Sequence, residues 1–146
     1  MSEAPTIRID RLGAKGDGIG EDGNAYPFTL PGEEVTGEAP YAIVTSAPAR
    51  VEPSCAHFGS CGGCSLQHMA LPDYLIWKRQ VVIDTLGQRG IEAPVEPCFA
   101  CRPGERRRVQ FTARRTESGL IFGYHAPASK RIVSVEDWAF LYAHDP

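Results

Sequence analysis

The feature that most constrains this chain is a cysteine loop, defined here as residues 55–64. Three cysteines fall within it, Cys55, Cys61 and Cys64, separated by five and then by two residues. Glycines fill the shorter gap, and their backbone freedom suits a tight turn around whatever the sulfurs hold. Thiols this close together, in a chain with an odd total of five cysteines, are typical of metal or cluster ligands rather than of a disulfide framework. Soft sulfur ligands favour zinc or iron–sulfur.

Charge is unevenly distributed along the chain. The 146 residues carry a formal net charge of −3, which by itself does not indicate a nucleic-acid binder. Acidic residues are frequent near the start, whereas basic residues cluster in the last third, at Arg106, Arg107, Arg108, Arg114, Arg115, Lys130 and Arg131. A local basic surface binds phosphate even on an acidic chain, although a run of charges is also typical of a solvated strand face.

Targeting and membrane signals are not evident in the sequence. The N-terminus has no apolar signal core, and no apolar run is long enough to span a membrane. We therefore expect a cytoplasmic protein that has no membrane partner. We also expect a monomer.

The first third of the chain is predicted to be a small β-structure. Residues 6–48 read as short strands separated by turns, beginning with the alternating segment Thr6–Asp10. The triplet Asp22-Gly23-Asn24 suits a hairpin turn, and Leu30–Glu33 a second turn. Several short strands at close spacing indicate a small barrel.

One helix and a further group of strands follow the cysteine loop. The helix is predicted from Asp73 to about Leu86, where apolar residues recur at three- and four-residue intervals and form one apolar stripe: Leu75, Ile76, Val82, Ile83 and Leu86. Alternation over 109–114 predicts a strand with basic side chains on one face. A turn at Glu117–Gly119 leads into strands at 120–125 and 131–135.

Several motifs in this order resemble one known family. They are Gly-Asp-Gly-Ile-Gly at 16–20, Leu-Pro-Gly-Glu-Glu-Val at 30–35, the stretch 53–68 ending in Gln67-His68, Tyr74, Trp77-Lys78-Arg79, Arg106-Arg107-Arg108, Gly123-Tyr124 and Ile132-Val133. Together they resemble the N-terminal part of the bacterial RNA uracil-C5 methyltransferases that act on 23S ribosomal RNA. The resemblance covers nearly the whole chain.

The resemblance implies a mainly β fold with one helix. Residues 1–50 are expected to form an OB-like TRAM barrel that binds RNA, and residues 51–146 a β-rich, cluster-bearing RNA-recognition domain. The parent activity would be formation of 5-methyluridine with S-adenosylmethionine as methyl donor. The cofactor-binding catalytic domain of that family is expected to be missing. The chain alone is therefore expected to bind RNA, specifically ribosomal RNA, without a catalytic residue of its own.

The resemblance also implies a [4Fe–4S] cluster held by Cys55, Cys61 and Cys64. Such clusters usually take four cysteines. Where the family has its fourth cysteine, this chain has Trp138, whose indole offers only an N–H donor.

Two other classes of function remain open at this point. Cys61, Cys64, Cys98 and Cys101 form two Cys-x-x-Cys pairs, as in a structural zinc module, although the intervening segment is long. The chain would otherwise be a free TRAM-type RNA binder with a vestigial cluster site. His57 and His68 flank the cysteines, either as zinc ligands or as groups that shape the loop.

Overall fold

The computed structural model describes residues 5–101, 105 and 108–134 of the chain. These residues form two antiparallel sheets and a single helix, so the predicted mainly β fold with one helix is confirmed. The strands are β1 Ile7–Leu12, β2 Gly18–Gly20, β3 Ala25–Tyr26, β4 Glu34–Thr36, β5 Ala42–Thr45, β6 Thr112–Thr116, β7 Gly119–His125 and β8 Ile132–Ser134. The helix, α1, is Leu71–Gly87 and lies between β5 and β6 in the chain.

The first sheet has five short strands in the order β3-β2-β1-β4-β5. The predicted hairpin is present, since β2 and β3 are antiparallel across Asp22–Asn24. The Asp22 carboxylate accepts hydrogen bonds from the Asn24 amide at 3.0 Å and from the Tyr26 hydroxyl at 2.8 Å. Register shifts within β1 and β4 bend the strands, and the resulting curled sheet is consistent with a small barrel-like domain.

The interior of this curled sheet is narrow. Ile9, Leu30 and Val35 are completely buried there. A Cβ placed on Gly18 would lie 2.8 Å from the Ile9 side chain and closer still to Thr29, so only glycine lets β2 approach the opposite segment. This close approach gives a physical reason for a glycine in the Gly-Asp-Gly-Ile-Gly motif.

Helix α1 begins two residues before the predicted start. Pro72 lies in its first turn, where a missing N–H costs nothing, and Asp73 adds a favourable negative charge there. No residue of the helix is fully buried, and Ile76, assigned to the predicted apolar stripe, is 69% exposed. That part of the predicted stripe is wrong. In the described residues, no helix is both long and apolar enough to cross a membrane.

The second sheet has the order β6-β7-β8. The predicted turn at Glu117–Gly119 joins β6 to β7, and Thr116 donates a side-chain hydrogen bond to the Gly119 carbonyl at 3.0 Å. The last predicted strand corresponds to β8, although its final residue, Val135, lies outside the described residues.

Contacts divide the chain into two compact units. The first contains the described residues up to Val51 together with His68–Phe99; the second contains Glu52–Gln67 together with the described residues from Ala100 onward. The cysteine loop thus groups with the second sheet, and α1 groups with the curled sheet. The division into functional domains at about residue 50 stays a prediction.

Candidate functional site

The cysteine loop is folded by its own backbone. The Phe58 amide donates to the Cys55 carbonyl at 3.0 Å, and the Cys61 amide donates to the His57 carbonyl at 2.9 Å. The Cys55 amide in turn donates to the Gln67 side-chain oxygen at 3.3 Å. Consecutive turns of this kind bring the ends of the loop back towards each other, with Gln67 closing it.

Two glycines hold the cysteine loop against β7. The Gly62 amide donates to the His125 carbonyl at 2.8 Å. A Cβ on Gly62 would lie 2.5 Å from that same backbone oxygen, and a Cβ on Gly63 would lie 3.1 Å from the Tyr124 ring. Gly62 is therefore needed for close contact between loop and strand, in addition to any need for a tight turn.

The three loop thiols have suitable chemistry for a soft metal or a cluster. Cys55, Cys61 and Cys64 are all half-buried, and none of the five cysteines forms a disulfide. The Gly63 amide donates to the Cys61 sulfur at 3.4 Å, which is the type of hydrogen bond that tunes ligating sulfurs. Within the described part of the chain, however, no three or more Cys, His, Asp or Glu side chains are grouped to hold a metal ion. Thiol sulfurs are suitable ligands for a soft metal or a cluster, but the described side chains are not arranged as a formed site. Trp138 lies outside the described residues.

The four-cysteine zinc arrangement is likewise not assembled among the described residues. Cys98 is half-buried and Cys101 is exposed, on an extended segment where the ring of Phe99 is 99% exposed. They join no metal-binding group with Cys61 and Cys64 in the ranges that the structure describes.

The predicted basic surface is only partly described. Arg108, Arg114 and Arg115 are exposed, whereas Arg106 and Arg107 lie outside the described residues. Arg114 is opposite Ile121 and Arg115 is opposite Leu120 on β7. Neighbouring residues of a strand point to opposite faces, so Arg114 and Arg115 lie on opposite faces of the sheet. The face predicted from the alternation over 109–114 includes Arg114 but not Arg115.

An aromatic row, defined as Phe111, Phe122 and Tyr124, lies beside these arginines and was not predicted as a site. Phe111 is in the middle, with its ring centroid 4.8 Å from both Phe122 and Tyr124. The alternation of Leu120, Phe122 and Tyr124 along β7 was the available sequence signal. The predicted turn at Glu117–Gly119 places the two strands side by side, but it does not predict that Phe111, just before β6, contacts both rings of β7.

A buried ion pair between Glu33 and Arg50 stabilises the first unit. It was also not predicted from the sequence. Glu33 is completely buried, and its carboxylate accepts two hydrogen bonds from Arg50, one of them at 2.8 Å, and one from the Leu30 amide at 2.8 Å. Burial raises the pKa of Glu33, but the bonds from Arg50 and Leu30 and the Arg50 charge outweigh it, so the pKa lies below its ordinary value. Arg50 also donates to the Phe28 carbonyl at 2.9 Å. The pair thus ties the Leu30–Glu33 turn to the segment that leads into the cysteine loop.

His68 belongs to this buried region and not to the loop that it follows in sequence. It is 1% exposed, and its ring packs edge-on to Phe28 with centroids 6.4 Å apart. Burial and the neighbouring Arg50 charge lower its pKa to about 4, against the opposing effects of Glu33 and a backbone hydrogen bond with Thr29. Its carbonyl accepts a hydrogen bond from the Val51 amide at 2.9 Å. This bond joins the two ends of segment 52–67, which contains the cysteine loop.

Known proteins similar in sequence to this chain are named as RNA methyltransferases. An RNA methyltransferase of Agrobacterium fabrum is 44% identical over 147 residues, which cover 90% of this chain and 35% of that protein. One of Rhizobium meliloti is 46% identical and covers 89% of this chain and 35% of the relative. A 23S rRNA (uracil(1939)-C(5))-methyltransferase of Halomonas elongata is 36% identical over 102 residues, covering 68% of this chain and 21% of the relative. The chain therefore spans about a third of the length of the first two. No family model matches it.

Proposed function

We propose that this chain, which matches the N-terminal part of bacterial RNA methyltransferases, is the RNA-binding portion of a ribosomal RNA uracil-C5 methyltransferase. Methyl transfer from S-adenosylmethionine to uracil C5 is assigned to the full-length family and not to these 146 residues. The curled sheet takes the role of a TRAM barrel in this proposal, and the molecule works as a cytoplasmic monomer.

The main support for RNA binding is that arginines on β6 are exposed beside the aromatic row. Arg114 and Arg115 are both exposed, and the rings of Phe111 and Phe122 lie in contact on the same hairpin. Arginine forms forked, charge-assisted bonds with phosphate, and aromatic rings stack on bases. Two exposed arginines on opposite faces favour contact with a backbone that wraps around the edge of the hairpin rather than contact on one flat face.

Removal of the two β6 arginines tests this function. The double substitution Arg114→Gln with Arg115→Gln is expected to weaken binding to a 23S rRNA fragment and to reduce the slope of log affinity against log salt by about 1.4, roughly 0.7 for each lost phosphate contact. A matched control, Lys78→Gln with Arg89→Gln on and just after α1, removes the same charge and should leave the slope nearly unchanged. Equal effects of the two pairs would show that only net charge matters.

We also propose that Cys55, Cys61 and Cys64 hold a [4Fe–4S] cluster. Support comes from the three thiols on one folded loop, from the amide bond to the Cys61 sulfur and from the family resemblance of residues 53–68. The loop has to gather its sulfurs when the cluster binds, because they are not grouped beforehand among the described residues. The cluster would supply a rigid cross-link of the loop, while Gly62 and Gly63 hold that loop on β7.

Metal analysis tests the cluster. After anaerobic reconstitution we expect iron and sulfide in the purified chain, lost rapidly in air because one corner lacks a protein thiolate. Trp138→Cys should raise the recovered iron and slow that loss, whereas Trp138→Phe serves as the control and should not. Stoichiometric zinc without sulfide would instead support the structural zinc module, and an air-stable four-iron cluster unaffected by Trp138→Cys would contradict the assignment of the missing ligand.

A further inference from the structure

We propose that the aromatic row, with Phe111 just before β6 and Phe122 and Tyr124 on β7, is a stacking platform for unpaired RNA bases whose main contact is Phe122. The inference rests on the RNA-binding function proposed above and assigns the bases, rather than the phosphates, to a particular surface. All of the residues that carry it lie in one compact unit.

Strand register places an arginine on the same face as the rings. Ala113 is opposite Phe122, and Arg115 is opposite Leu120. Residues directly opposite in an antiparallel pair point to the same side of the sheet, as do alternate residues of one strand. Phe122, Ala113, Leu120 and Arg115 therefore share one face.

One end of the row lies against the cysteine loop, and the other end is partly exposed to solvent. The Tyr124 end lies against Gly63 of the cysteine loop, where a Cβ would come within 3.1 Å of the ring. Phe111 lies between the other two rings, inclined by 45° to Phe122 and by 53° to Tyr124. Phe122 is 41% exposed and Leu120 is 68% exposed. Rings packed on one another and on the loop are held in place, so little conformational entropy is lost when a base stacks on the exposed part of Phe122.

Charge complementarity favours a polyanion as the occupant of this face. Arg115 shares the face with the exposed ring, and Arg114 lies at the same level on the reverse side of the strand. An aromatic ring next to arginine is the combination that binds single-stranded nucleic acid, because the base stacks on the ring while the cation meets the phosphate. A second copy of this chain would bring the same arginines into the contact, where like charges repel.

The test separates stacking from charge. The probes are fluorescein-labelled 12-nucleotide oligouridine and a 12-unit abasic ribose-phosphate oligomer of equal charge. The full chain should bind the oligouridine at least about fivefold more tightly than the abasic oligomer, since base stacking on one aromatic ring is worth that much or more. Phe122→Leu, which keeps an apolar side chain without a π-face, should remove this difference and leave the salt dependence unchanged. Phe122→Tyr should retain it, and circular dichroism of both variants checks the fold.

The possible outcomes distinguish failure of RNA binding from failure of base stacking. If the unchanged chain binds neither probe, the proposed RNA-binding function fails and this inference fails with it. If the chain binds both probes equally, or if Phe122→Leu retains the preference for bases, RNA binding stands and the stacking platform is wrong. Concentration-dependent dimerisation abolished by Phe122→Leu would identify a second copy as the occupant and also overturn the inference. Photocrosslinking of 5-iodouridine RNA to the unchanged chain, mapped to peptides of β6 or β7, supports the platform without any substitution.

Discussion

At the scale of single residues, the first unit depends on buried groups whose charges are matched. The carboxylate of Glu33 has its bonds from Arg50 and from the Leu30 amide, so the buried charge is compensated in place. Removing one member of such a pair leaves the other uncompensated and costs several kcal/mol, typically about 3 to 5. His68 completes the region as a neutral ring, because burial and Arg50 disfavour its protonated form.

His68 predicts how stability depends on pH. Its pKa falls from 6.5 to about 4 on folding, so between these values the unfolded chain binds the proton more readily than the folded one. Its contribution to stability is therefore complete above pH 6.5 and is lost as the pH falls towards 4, with a loss of roughly 2 kcal/mol between pH 7 and pH 5. Urea unfolding at pH 7, 6 and 5 measures the effect.

Two variants identify the group responsible. His68→Gln should flatten the pH dependence between pH 7 and 5, whatever its effect on stability at pH 7. His57→Gln, in the cysteine loop, should leave that dependence as in the unchanged chain. An equally steep loss of stability in His68→Gln would assign the effect to other groups.

At the scale of elements, the key contact is that between the cysteine loop and β7. The loop approaches the strand so closely that the Gly62 amide bonds directly to the His125 carbonyl. Any side chain at that position has to displace backbone atoms. The packing of loop on strand joins the proposed cluster site to the aromatic row through Gly63 and Tyr124.

Gly62→Ala should therefore destabilise the chain by about 1 to 3 kcal/mol, the usual cost of forcing atoms into a packed contact. Gly87→Ala at the end of α1 is the matched control, because a Cβ there meets nothing within 4 Å and its stability should be unchanged or slightly raised. Urea unfolding midpoints measure both. Equal stability of Gly62→Ala and the unchanged chain would show that the loop does not depend on this contact.

At the scale of the whole molecule, local pattern predicted the elements better than it predicted their partners. The alternation of apolar and polar residues, together with turn residues, predicted strands and the Asp22–Asn24 hairpin. The periodicity of apolar residues predicted the start of α1 to within two residues. Which side chains meet across two elements depends on tertiary packing, and no local sequence pattern contains that information. The Glu33–Arg50 pair and the Phe111–Phe122 contact were therefore not predicted. The separation of His68 from the cysteine loop was missed for the same reason, because closeness in sequence suggested a shared site.

We propose above that this chain binds RNA through phosphate and base contacts in its second unit, and a salt titration of RNA binding tests that proposal. Equilibrium binding of the unchanged 146-residue chain to a 23S rRNA fragment is measured by fluorescence anisotropy across 50 to about 300 mM salt, a range in which phosphate contacts weaken strongly. We expect measurable affinity at low salt, falling linearly on a plot of log affinity against log salt, and we expect a smaller slope when Arg114 and Arg115 are replaced. Absence of binding at low salt, or an affinity independent of salt, would contradict it.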